Sequence, residues 1–133
     1  RILVVGGLSC TPEPCEAAVA DVEIFDPVLG ETRAVTSGAP IPGGIVDHTA
    51  TVVSGGRVLI AGGRDDSGAL RNDAWLFDPD VEALVPTRTL THARARHTAT
   101  ALCDGTVLLV GGESEDGEPP PAERYNPASR AIP

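Results

Sequence analysis

The sequence contains no apolar run approaching the roughly 20 residues that a membrane-spanning helix requires, and no stretch with the charged, apolar and small-residue order of a secretory leader. Helical membrane insertion is thereby excluded as a reading, while the missing leader assigns no compartment. Aromatic residues are scarce, with one Trp, one Tyr and two Phe making 3% of the 133 residues. Positive charge is also short, with 10 basic against 19 acidic residues, a formal net charge of -9 and a pI near 4.6. Such a balance favours solubility and disfavours binding to nucleic acid, glycosaminoglycan or an anionic membrane. Arg88, Arg94 and Arg96 form one local basic exception. There are three cysteines. Cys10 and Cys15 bracket the polar loop TPEP. Pairing them as a disulfide implies an oxidising compartment, extracellular or periplasmic; the alternative is two free loop thiols in a reducing one. Cys103 ends an apolar run beside Asp104 and Gly105. With no His and Asp companions at that position it reads as a small strand residue, not a nucleophile.

What the chain does have is glycine and proline, 15 and 12 residues respectively. That is well above the roughly 12% of average usage for the two together. They fall at recurrent places beside regular apolar runs, which favours a turn-rich all-β fold over disorder. The organising stretch is residues 48–63, HTATVVSGGRVLIAGG, which returns at residues 97–112 as HTATALCDGTVLLVGG. Its second half opens the chain as RILVVGG. The two full copies are offset by 49 residues, whereas the first diglycine, Gly6 and Gly7, precedes Gly62 and Gly63 by 56. Each copy reads as a polar start, an apolar strand, a tight turn, a second apolar strand and a diglycine. A period of this size is the mark of a structural repeat with room for about four short strands.

In chain order, residues 2–5 read as an apolar strand buried on both faces and ending in the diglycine. DVEIF at residues 21–25 alternates polar with apolar and closes at Asp26 and Pro27, as a half-buried strand would. An aromatic before Asp-Pro or Asn-Pro recurs at Phe25, Phe77 and Tyr125, which reads as one core anchor per unit. Weaker segments at residues 32–35, 82–85 and 130–132 read as short outer strands, and residues 36–47 and 86–96 as linkers. Residues 1–47 thus hold a first unit without its first strand, plus a linker. Residues 48–96 hold a second unit and linker, and residues 97–133 a third.

The diglycines Gly6 and Gly7, Gly62 and Gly63, and Gly111 and Gly112, the aromatics Phe25, Phe77 and Tyr125, and the RHTAT strand beginning at His97 together resemble the kelch-repeat β-propeller family. The outer segments ETRAV, VEALV and SRAI depart from it, for the tryptophan usual there is missing. The resemblance implies an all-β, kelch-like propeller with about three four-stranded blades present. Three such blades do not close a ring, since propellers take 4 to 8. The implied protein is therefore part of a larger ring, or a homodimer forming a ring of six. In either case Arg1 to Val5 present a raw edge unless another strand supplies the missing first element of the sheet.

Loop lengths divide the expected loops into two rims. Residues 54–56 and Asp104 with Gly105 make minimal turns at one. Residues 8–20, 64–72, 113–120 and both linkers gather at the other, where recognition by long loops on a rigid scaffold is expected. The candidate rim residues are Arg64, Asp65, Asp66, Arg94, Arg96, Glu113, Glu115 and Asp116, with Glu118 adding a carboxylate. No regular ligand spacing marks a calcium loop among them. His48 and His97 occupy equivalent positions, which suits a repeated backbone hydrogen bond better than a metal pair. No catalytic, metal or cofactor set is assigned, and no cofactor is expected.

The leading functional expectation is a noncatalytic scaffold that binds a protein or glycan at the long-loop rim. Two alternatives stand beside it. Some kelch-like propellers belong to copper oxidases with Tyr and His ligands, and such an enzyme would hold its catalytic residues outside this segment, since Tyr125 is the only tyrosine and no copper site carries over. The other is a self-assembly module whose edges complete a second copy.

Overall fold

The computed structural model describes residues 1–11, 13–15 and 17–127. Among these residues the chain forms strands β1 (Ile2–Val5), β2 (Leu8–Ser9), β3 (Ala17–Ala18), β4 (Val22–Asp26), β5 (Glu31–Ala34), β6 (Thr49–Val52), β7 (Val58–Ala61), β8 (Ala74–Asp78), β9 (Ala83–Pro86), β10 (Thr98–Ala101), β11 (Val107–Val110) and β12 (Glu123–Tyr125). A single 3-10 turn at Ser54–Gly56 joins β6 to β7. The strands are as short as the glycine and proline spacing allows. All neighbouring strands run antiparallel, in sheets ordered β1-β4-β5, β2-β3, β6-β7-β8-β9 and β10-β11-β12.

The four-stranded sheet is the centre, because its two inner strands are apolar at every position but the terminal Asp78 and a strand turns successive side chains to opposite faces. Ile60 pairs with Trp75 and Val58 with Phe77, while Leu59 pairs with Leu76 and Ala61 with Ala74. The first set packs with Val22 and Ile24 of β4 and with Val35, Ile41 and Ile45. The second set packs with Val53, Leu90, Val107, Leu109 and Tyr125. Two hydrophobic clusters, one on each face, therefore join three sheets in layers. Each fully buried Leu or Ile among them contributes about 1.5–3 kcal/mol.

The outer faces of the flanking sheets are uncovered. Residues 2–5 are consequently not buried on both faces: Ile2 is 53% and Val4 46% exposed, while Leu3 and Val5 pack inward. The three aromatics are also unequal. Phe77 and Tyr125 lie in the two clusters, whereas Phe25 is only half-buried, on the open side of β4. The Tyr125 hydroxyl donates a hydrogen bond to the Arg88 carbonyl and lies 3.2 Å from Thr87 Oγ1, whose hydroxyl can donate to it, with the Arg88 guanidinium 5.2 Å from the ring centre. Tyr125→Phe keeps the ring and loses the hydroxyl. It is expected to lower stability by about 1 kcal/mol in urea unfolding, the usual net worth of such a bond.

The all-β class stands, but the kelch-like propeller does not. The sheets hold 3, 2, 4 and 3 strands, are separate, and are neither closed nor curled as equal blades in a ring would be. With the propeller go the larger ring and the six-blade homodimer. The physical reason is that the repeated text specifies only a strand pair and its turn, β6 with β7 and β10 with β11. What surrounds each pair differs. Residues 8–20 spend two residues at each end on the separate β2–β3 hairpin, closed by the Cys10–Cys15 disulfide, and β1 has no strand on its second edge among the described residues. The expected outer strand at residues 130–132 lies outside the described residues. A 49-residue repetition in sequence is thus not an equal repetition in structure.

Candidate binding rim

At the diglycine ends of β1, β7 and β11 the long connections are stitched to one another through backbone. Gly7 N–H donates to the Ile45 carbonyl at 2.9 Å, and Ile45 N–H donates to Val19 at 3.0 Å. Val46 and Arg64 exchange bonds of 3.0 and 2.8 Å, and Ala95 and Glu113 exchange bonds of 3.3 and 2.8 Å. Arg96 N–H reaches the Asp47 carbonyl at 2.9 Å. Pairings of this kind turn five separate connections into one continuous surface. Asp66 adds a cross-tie: its backbone N–H donates to Gly43, and its Oδ1 accepts from Ala18 N–H at 2.9 Å.

Charged side chains follow the same seams. Arg96 Nε lies 3.3 Å from Asp47 Oδ2 and its Nη1 lies 3.4 Å from Glu113 Oε1. The other oxygen of Glu113 accepts from Arg64 Nη2, and Arg64 Nη1 donates to the Gly68 carbonyl at 2.9 Å. A chain of alternating sign, Asp47–Arg96–Glu113–Arg64, therefore runs across the rim. Exposed pairs contribute about 0–1 kcal/mol each, so their effect is on position more than on stability. Asp47 and Arg96, which precede His48 and His97, both have left-handed backbone, with φ of 59 and 56°. Equivalent bends thus turn the two histidines inward.

The remaining acids are engaged locally. Asp65 Oδ1 accepts from Ser67 Oγ at 2.6 Å, Ser67 N–H at 2.9 Å and Ala69 N–H at 3.0 Å, which holds its carboxyl below the ordinary value. Asp116 accepts from Ser114 Oγ and from Glu118 N–H, with the same effect. Glu115 is exposed on that loop, and the Glu118 carbonyl lies against the same Ser114 Oγ. Among the described residues, no group of three or more His, Cys, Asp or Glu side chains is placed to hold a metal ion.

Arg94 is not on the rim surface. Its side chain is fully buried and donates to the Gly111 carbonyl at 3.2 Å, to the Pro121 carbonyl at 2.5 Å and to Glu123 Oε1 at 3.4 Å. Burial pulls its pKa below the ordinary value against the opposing charge of Glu123. Beneath the rim, His97 bonds the backbone of Ala61 and its Nε2 stands 2.9 Å from Thr49 Oγ1. Loss of solvent, then the charges of Arg94 and His48, lower its pKa to about 4. His48 bonds the backbone of Val5, and burial lowers its pKa too. Both rings are therefore neutral at pH 7, with Nδ1 buried and unpartnered.

Three residues that organise this end carry no motif in the sequence. Arg71 donates to the carbonyls of Pro42 and Gly44, pairs with Asp73 at 2.8 Å and lies 5.7 Å from the Trp75 ring centre. Asp47 starts the charge chain. Glu123 accepts from Thr91 N–H at 2.9 Å as well as from Arg94. The one available signal is the Arg71-Asn-Asp73 order just before an apolar strand, which places opposite charges two residues apart.

No family model matches the chain, and no curated protein matches it in sequence. No helix among the described residues is long and apolar enough to cross a membrane. The Cys10–Cys15 disulfide is present in the loop that contributes to the rim, and Cys103 is a free, exposed thiol in the opposite turn.

Proposed function

We propose that this protein is a noncatalytic recognition scaffold that binds a protein or a glycan through the long-loop rim, in an extracellular or periplasmic setting. The observation that carries this reading is the stitching of five connections by backbone bonds, with the Asp47–Arg96–Glu113–Arg64 chain running over them. A surface held in one arrangement before its ligand arrives loses less entropy on binding than loose loops would. Carboxylates and guanidinium groups at hydrogen-bonding spacing suit polar partners, whether hydroxyl-rich sugars or mixed-charge protein surfaces. The loop disulfide supports an oxidising compartment. The acidic net charge weighs against nucleic acid.

The experiment screens the immobilised chain against an arrayed glycan collection and a displayed peptide library. The binder recovered is then measured against Arg96→Glu, Glu115→Lys and, on the opposite rim, Arg57→Glu. Each long-loop variant is expected to weaken binding about tenfold, a change of 1.4 kcal/mol, with Arg57→Glu unchanged. Loss of binding only with Arg57→Glu, or chemical turnover of the recovered ligand, would overturn the reading.

A further inference from the structure

The connection from Arg94 to His97 is held between two diglycines. Gly63 N–H donates to the Arg94 carbonyl at 2.8 Å, and Ala95 exchanges bonds with Glu113, the residue after Gly112. A Cβ on Gly62 would stand 2.7 Å from His97 Cε1, and one on Gly112 would stand 3.0 Å from His97 Cβ. Backbone thus closes on His97 from both sides, and the residue is only 6% exposed.

This position suits a neutral ring and not a charged one. His97 bonds the backbone of Ala61, its Nε2 stands 2.9 Å from Thr49 Oγ1, and Nδ1 is buried without a partner. The single proton of the neutral ring therefore sits on Nε2. A second proton enters at Nδ1, where no acceptor meets it, and a buried donor left unpaired is costly. Among the charged groups that face the ring, Arg94 on its own connection and His48 just before β6 oppose a positive charge, while Glu123 of β12 favours one. Glu123 is already engaged by Thr91 N–H and by the Arg94 guanidinium. Protonation therefore favours a ring that has left its place for water.

We propose that His97 is an acid-operated latch on the long-loop rim: its protonation frees the Arg94–His97 connection from the two diglycines while the β6-β7-β8-β9 sheet stays folded. Neither hydrophobic cluster contains a residue of this connection, so its departure leaves the core in place. Departure breaks the backbone bonds Gly63–Arg94, Arg96–Asp47 and Ala95–Glu113, and it takes the Arg96 guanidinium from both Asp47 and Glu113. The charge chain across the rim is thereby cut at Arg96. On the reading of this rim as a recognition surface, on which this consequence rests, the latch holds a ligand at neutral pH and releases it in an acidified setting. The ring has a pKa of about 4 in place and an ordinary value of 6.5, so closure is fully favoured above pH 6.5 and weakens as pH falls toward 4.

The test needs no ligand. Amide exchange of the full 133-residue chain, corrected for the intrinsic effect of pH, is followed by NMR at about pH 7 and 4.5. Protection at Gly63, Arg96 and Glu113 is expected to fall about tenfold or more between the two, the direction and size that linkage to the His97 proton requires. Leu59 and Leu76 in the sheet are expected to stay better protected than these three at the lower pH. In His97→Gln, whose side chain takes up no proton, most of the fall at the three amides is expected to disappear. The His97 ring of the native chain, followed by its own carbon shifts, is expected to titrate well below 6.5, a reading that serves even where the variant does not fold. Exchange of all these amides at one rate at the lower pH would overturn the latch, because acid would then unfold the sheet as a whole. Unchanged protection at Gly63, Arg96 and Glu113, or a His97 midpoint near 6.5, would do the same. Since no ligand enters these measurements, they stand or fall separately from the binding screen.

Discussion

Gly62→Ala is expected to destabilise the protein by about 2–5 kcal/mol, while Gly111→Ala, at the equivalent place in the next diglycine, costs only about 1–2 kcal/mol. Both residues have left-handed backbone, with φ of 69 and 71°. The conformational penalty for an L side chain is therefore the same, about 1–2 kcal/mol. Space differs. A Cβ on Gly62 would stand 2.5 Å from the Arg94 carbonyl oxygen and 2.7 Å from His97 Cε1, whereas a Cβ on Gly111 meets nothing within 4 Å. The clash with a backbone oxygen cannot be relieved by rotating a side chain, so the linker carrying Arg94 and His97 must shift. Overpacking of that kind adds about 1–3 kcal/mol. Urea unfolding of the two variants checks this, and equal losses would show that the linker does not lie against β7.

Acidification provides the second large effect. His97 has a folded-state pKa of about 4, below its ordinary 6.5, first because burial disfavours its charged form and then because Arg94 and His48 repel it. Folding therefore favours the neutral ring. The stabilisation is complete above pH 6.5 and is lost as pH falls toward 4, by about 3 kcal/mol in all. His48 is shifted in the same direction by burial and adds to the loss. Asp65, Asp104 and Asp116 lie below their ordinary 3.8, so the stability they add drains away only at lower pH. Unfolding free energies measured between pH 7 and 4 should fall steeply in the native chain and much less in His97→Gln. An equal slope in both would mean that His97 is solvated and titrates normally.

Of the central strand pair, Val58–Ala61 was legible as a short apolar run ending in a diglycine, whereas residues 73–79, DAWLFDP, read as a return of the half-buried DVEIF element, and the burial of Ala74, Trp75, Leu76 and Phe77 on both faces comes from the two clusters that cover them. ILVV at the start of the chain has the same look, yet one of its faces is open, since an apolar run reports the side chains and not what covers them. The β2–β3 hairpin was illegible: Leu8, Ser9, Ala17 and Ala18 have no alternation, and their pairing follows from the disulfide loop between them. Repetition of HTAT and GG pointed to equal blades, but these residues specify a turn and a backbone approach shared by β6–β7 and β10–β11, not the number of strands beside them. On the rim, Arg64 and Glu113 could be placed because each follows a diglycine at a strand end, and Arg96 because it immediately precedes the repeated HTAT strand. Arg94 reads the same way in sequence, two residues from Arg96. Its burial depends on carbonyls contributed by Gly111 and Pro121, which no local pattern announces.

The claim on which the rest depends is that the β7–β8 strand pair is covered on both faces while β1, among the described residues, keeps an open edge. Residue-resolved hydrogen exchange of the free chain tests it most directly. The slowest amides are expected in β7 and β8, with Leu3 and Val5 of β1 exchanging far faster than their counterparts Leu59 and Ala61. Protection of Leu3 and Val5 equal to that of Leu59 and Ala61 at low protein concentration would contradict the account.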